Sequence, residues 1–103
     1  MITKTRRMND LLDWYENLLT PKQKAVMHLY YQQDYSLREI AQELEVSHNA
    51  IYDIIMRASN RLEAIEAQVK VLALYQKLQT QIEALKAKDI DAIQEIIAEL
   101  EKL

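Results

Sequence analysis

The side chains whose types and spacing could do chemistry lie in and just before one stretch, Ser36 to Arg57, SLREIAQELEVSHNAIYDIIMR. At helical spacing Asn49 and Asp53 share one outward face, with Tyr52 and Arg57 on its flanks and His48 in the first turn. Their chemistry is recognition by hydrogen bonds, not bond making. An amide such as Asn49 matches the two-point edge of adenine, and a carboxylate such as Asp53 accepts from a cytosine amine. Tyr52 and Arg57 suit phosphates or a thymine methyl. Lys22, Lys24, Arg38 and the helix start at Ser36 suit a sugar-phosphate chain, and Ser47 joins them at the start of the second helix. The other reactive residue types are isolated. His28 and His48 have no carboxylate partners at metal-ligand spacing. The chain has no Cys, which excludes disulfides, thiolate ligands and Cys nucleophiles. No catalytic group, metal or cofactor is expected.

The elements that must position these residues follow from the apolar pattern. Ser36 can cap a helix, and Glu39 three residues later completes a capping box. Leu37, Ile40, Ala41 and Leu44 then form one apolar face. The pattern breaks at Glu45-Val46 and restarts at Ser47, a second N-cap, followed by Ala50, Ile51, Ile54, Ile55 and Ala58. Two helices, a turn of about three residues and a small Ala41 at the crossing make a helix-turn-helix. Here EIAQELEVSHNAIYDIIMRASNRL resembles region 4 of bacterial sigma factors. The RMNDLLDWYENLLTPKQ opening and the YYQQDYSLREIA run extend the likeness to the YlxM family, small proteins encoded beside the signal recognition particle genes. The resemblance covers residues 6 to 65. It implies a regulatory, promoter-reading type of fold, and a role in the signal recognition particle pathway by gene neighbourhood. One position departs from the pattern: Glu45 stands where the turn usually has Gly. The turn therefore predicts a left-handed Glu45, at a cost of about 1 to 2 kcal/mol.

Upstream, Met8, Leu11, Leu12, Tyr15, Leu18 and Leu19 define a first helix, with Trp14 off its stripe at a rim. Thr20-Pro21-Lys22-Gln23 is a second start signal, with Thr20 as cap, Pro21 in the first turn and Gln23 closing a box. Ala25, Val26, Leu29 and Tyr30 carry that helix's apolar face. The expected core rests on Leu12, Leu19, Val26, Leu29, Ile40, Leu44, Val46, Ile51, Ile54 and Ile55. Past Arg57 the apolar steps continue without a stop, so one helix from Ser47 to Ala87 would run about 60 Å. A turn at Lys86 to Asp89 precedes a last helix with Ile90, Ile93, Ile96, Ile97, Leu100 and Leu103 in register. The expectation is all-α: a four-helix, sigma-region-4-like helix-turn-helix domain over residues 1–62. A hairpin of the long helix and the last one fills 63–103. That hairpin carries a stripe too wide to bury alone, predicting a homodimer. Leu62, Ile65, Val69, Val71 and Leu72 would open its seam, and Leu74, Leu78, Ile82 and Leu85 would continue it.

Composition bounds the function. With no Gly and one Pro, tight hairpins and Gly-rich phosphate loops are disfavoured. No apolar run reaches membrane-spanning length, and the basic N-terminus lacks a signal peptide's apolar core, so a cytoplasmic address is expected. The net charge is -3. Residues 36 to 61 carry three Arg against four acids, and residues 62 to 103 five Lys against eight. Dedicated DNA binders usually carry a basic excess, because phosphate neutralisation supplies most of the affinity. Two non-enzymatic readings stand: a regulator binding DNA through the second motif helix, or a protein-protein adaptor contacting the signal recognition particle GTPase or its RNA.

Overall fold

The computed structural model describes residues 2–87 and 90–102. Among them all regular structure is helical: α1 (Ile2–Tyr15), α2 (Pro21–Met27), α3 (Leu37–Leu44), α4 (His48–Val69), α5 (Val71–Ala87) and α6 (Ile90–Glu101). A 3-10 turn, Glu16–Leu18, follows α1, and a π turn, His28–Gln32, follows α2. The chain forms two compact units, Met1–Val69 and Lys70–Leu103.

In the first unit α1, α2 and α3 all pack on α4. Leu11, Leu12, Val26, Met27, Ile40, Ile51 and Leu62 are wholly buried there, each contributing roughly 1.5 to 3 kcal/mol before entropy. Each start signal is used. Thr20 Oγ1 accepts from the Gln23 amide at 3.1 Å, and Gln23 Oε1 accepts from the Thr20 N–H at 3.1 Å. Ser36 and Glu39 repeat the box at 3.1 and 2.9 Å. Ser47 Oγ accepts from the Ala50 N–H at 3.1 Å.

Without Gly, left-handed backbone falls on other residues. Asp34 (φ 61°), Glu45 (φ 56°) and Lys70 (φ 58°) adopt it, each just past the end of a helical run. Glu45 is left-handed as the turn pattern demands, and the Val46 N–H closes on the Ala41 carbonyl at 3.0 Å in a Schellman-type end.

Several expectations are corrected. The long helix breaks: Lys70 turns left-handed, which ends α4, and its carbonyl accepts the Leu74 N–H at 3.1 Å to start α5. Nothing in the local sequence marks this, because Lys is a good helix former. The units divide at Val69/Lys70 and not after Leu62, because the last turns of α4 are tied to α1. Leu62 is wholly buried, Arg7 Nη2 reaches Glu63 Oε1 at 2.8 Å, and Tyr15 Oη donates to buried Glu66 at 2.5 Å. The first helix ends at Tyr15, leaving Leu18 exposed in the 3-10 turn. Within α2 Met27 is buried and Ala25 exposed; the π turn then rotates the register, so that Tyr31 is buried and Leu29 and Tyr30 are half-buried. Leu44, Val46 and Ile54 are likewise half-buried, at the edge of the core. Trp14 is exposed. In the second unit α5 packs on α6. The expected turn at Lys86 to Asp89 includes two positions, 88 and 89, that lie outside the described residues, as does Leu103.

Candidate nucleic-acid interface

Ile51, Ile55, Ala58 and Leu62 place one face of α4 in the core. By helical geometry the opposite face carries Asn49, Asp53, Met56 and Asn60, with Tyr52 and Arg57 on its flanks and His48 in the first turn, all exposed. Tyr52 keeps 55% of its surface in solvent and Met56 38%, large values for residues of their size. The Ser47 cap and the left-handed Glu45 hold the start of this face against α3. Asn49, Tyr52, Asp53 and Met56 are thus open to solvent on the outer side of α4.

The electrostatics of that surface are more restrained than the residue list implies. Arg57 Nε lies 2.9 Å from Asp53 Oδ2, an exposed i,i+4 pair worth a few tenths of a kcal/mol. Its energetic worth is small, but it sets charge: the cation stands beside an anion. The other arginine of α4, Arg61, donates from Nε to the Leu18 carbonyl at 3.1 Å. Lys24 is also engaged, 3.0 Å from Asn17 Oδ1 and 3.9 Å from Glu16 Oε1. Lys22 and Arg38 are exposed. The hydroxyls of Ser36 and Ser47 accept the capping N–H groups; Ser47 keeps an O–H to donate, whereas the Ser36 side chain also bonds the Glu39 carboxyl. At the α3 start, Glu39 already supplies an anion. The Ser36 backbone N–H and then its side chain hold the Glu39 carboxyl below its ordinary range, so it is charged where a phosphate would approach.

Two arrangements carried no plain signal in the sequence. The His28 ring lies between Glu16 Oε2, at 2.6 Å from Nε2, and the side chain of Gln32, across the π turn. A cleft of about 390 Å³ opens beside the α3 start, lined by Lys4, Thr5, Tyr30, Tyr31, Tyr35 and neighbours. The Tyr30-Tyr31 and Tyr35 cluster was its visible trace. Among the described residues no group of three or more His, Cys, Asp or Glu could hold a metal. Nor is any described helix long and apolar enough to cross a membrane.

Residues 2–102 match the UPF0122 family, whose description reads "Putative helix-turn-helix protein, YlxM / p13 like". The chain belongs to that family. A UPF0122 protein of Exiguobacterium sibiricum is 45% identical over 103 residues, covering 99% of this chain and 97% of the relative. One of Listeria monocytogenes is 54% identical over 87 residues, covering 82% and 79%. One of Geobacillus is 56% identical over 79 residues, covering 77% and 69%. The family description agrees with the helix-turn-helix of α3 and α4.

The residues expected in a dimer seam divide between the units. In the first unit Leu62 is wholly buried and is withdrawn from that seam, Ile65 is half-buried and Val69 exposed. In the second, Leu72 is buried, Val71, Leu78 and Leu85 are half-buried, and Leu74 and Ile82 are exposed.

Proposed function

We propose that this is a non-enzymatic regulatory protein of the cytoplasm that binds duplex DNA through α4. The observation that carries the reading is the outward row Asn49, Tyr52, Asp53, Met56, exposed on a helix whose other face anchors the core. Asn49 supplies the base contact. Lys22, Arg38 and the Ser47 hydroxyl take the phosphates, with Ser36 joining once it leaves Glu39 and Lys24 once it leaves Glu16. A second copy, held through exposed apolar side chains of α5 and α6, presents a second α4 to a half-site about one DNA turn away.

The test is duplex binding across a salt series. Log affinity against log salt is expected to fall with a shallow slope, because few phosphates are neutralised. Arg38→Ala should weaken all sequences alike, and Asn49→Ala should relax base preference. Absence of duplex binding at low salt would defeat the reading. It would favour the second one, an adaptor of the signal recognition particle pathway contacting its GTPase or RNA. That alternative draws on the family resemblance, on the net charge of -3 and on the pairing of Arg57 with Asp53.

A further inference from the structure

We infer that α4 selects A·T base pairs: Asn49 reads adenine, Tyr52 and Met56 pack on thymine methyls, and the Asp53–Arg57 pair keeps guanine from being read. The inference rests on the DNA-binding reading above and names the sequence class of that site.

Guanine presents two acceptors, O6 and N7, in the major groove, and its commonest reader is an arginine or lysine fork. Helix α4 has two arginines and no lysine. Arg57 is 2.9 Å from Asp53, and Arg61 donates to the Leu18 carbonyl at 3.1 Å on another part of the helix. The carboxylate of Asp53 repels guanine's acceptors, and its pairing with Arg57 occupies the oxygen that would otherwise accept from a cytosine amine. What the outward face does offer is an amide and two apolar bodies. Asn49 has the donor and acceptor that adenine N7 and N6 require. Tyr52 and Met56, four residues apart and both exposed, form one apolar ridge beside it. A thymine C5 methyl is the one apolar group in the major groove that such a ridge fits. On an aqueous surface the ridge has no other intramolecular use.

The experiment is selection of duplexes from a random pool by the intact chain, followed by binding of the enriched site with each thymine replaced by uracil. The enriched site is expected to be A·T-rich. Removing a contacted methyl should weaken wild-type binding about three- to fivefold, the worth of one buried methyl. The same replacement should leave Tyr52→Ala with Met56→Ala nearly unaffected. Asp53→Asn should free Arg57, bring guanine into the enriched site and steepen the salt slope by about one unit. All these residues are exposed, so the variants should keep the wild-type melting curve. A G·C-rich site, or an A·T-rich one indifferent to uracil, overturns the inference while leaving DNA binding intact. Enrichment of no sequence, with duplex still bound, does the same. No duplex bound at low salt overturns both.

Discussion

The two units use similar apolar content to opposite ends. The first closes on itself: α4 is surrounded by α1, α2 and α3, and seven of its large side chains are wholly buried. The second is a helix pair in which Leu72 is the one buried side chain among the described residues. Leu74, Tyr75, Ile82, Ile90 and Ile97 all keep at least 40% of their surface exposed, Ile90 as much as 72%. Two helices have only one mutual interface, so a stripe wider than that interface stays in water, whereas a helix with three neighbours can bury most of its circumference. The difference teaches that helix amphipathicity sets what must be covered, and that topology decides whether the chain itself can cover it.

The largest effect should come from cutting the first core and sparing the second. Ile51→Ala removes a wholly buried side chain and is expected to cost about 2 to 5 kcal/mol in urea unfolding. Ile97→Ala, at an exposed site, should change the stability of the monomer by about 0.5 kcal/mol or less. Equal costs would erase the contrast between the units. Next comes association. Leu74→Asp with Ile82→Asp charges two exposed positions of α5, and is expected to turn a dimer into a monomer by sedimentation equilibrium at tens of micromolar. The first unit should unfold as before in that variant. A wild-type chain that sediments as a monomer would mean that the second unit's apolar surface is not a self-association face.

Most of the first unit was legible from its capping chemistry. Thr20, Ser36 and Ser47 each announced a helix start, because their oxygen is what the first-turn N–H groups need. The Asn49-to-Arg57 face was legible for the same reason that its opposite face was: helical spacing assigns both at once. The Asp53–Arg57 pair was legible only as a spacing of four, since whether a side chain turns to its neighbour or to a ligand is not a matter of spacing. Helix ends were harder. In a chain without Gly, a left-handed stop falls on Asp34, Glu45 or Lys70, and only Glu45 sat in a motif that demanded it. The break at Lys70 has no mark in the local sequence, and the contacts that tie the last turns of α4 to α1, Arg7 with Glu63 and Tyr15 with Glu66, join residues far apart in sequence. The π turn at His28–Gln32 shifts the buried face within α2's continuation, and no local residue type announces such a shift.

A smaller effect tests those Gly-free stops. Glu45→Gly relieves about 1 to 2 kcal/mol of left-handed strain and gives back about 0.5 to 1 in unfolded-chain entropy. Net stabilisation of about 0.5 to 1 kcal/mol is expected, read as a higher melting temperature of the first unit. Lys70→Gly should act in the same direction on the α4–α5 backbone. A lower melting temperature for Glu45→Gly would mean that the Glu45 side chain contributes more than its backbone costs.

The smallest expected effect compares the two capping boxes within the first unit. Both have the same hydrogen bonds, yet Thr20–Gln23 is neutral and Ser36–Glu39 carries a titratable carboxyl. The Ser36 N–H, and next the Ser36 side chain, lower the Glu39 pKa from its ordinary 4.5. The sign follows from linkage: a carboxyl with a lower pKa folded than unfolded adds stability that is fully present above the unfolded value. That stability is lost as pH falls from about 4.5 through the depressed folded value. Glu39→Gln keeps an oxygen to accept the Ser36 N–H, as Gln23 does for Thr20, but removes the charge. Above pH 5 the wild type should melt slightly higher than Glu39→Gln, because an anion is favoured at a helix N-terminus. As pH falls below 4.5 that advantage should disappear. The measurement is the difference between the two melting curves across pH, in which contributions common to both proteins cancel. A difference that stays constant from pH 6 to pH 3 would mean that the Glu39 charge does not couple to folding. The two boxes would then act alike, through hydrogen bonds alone.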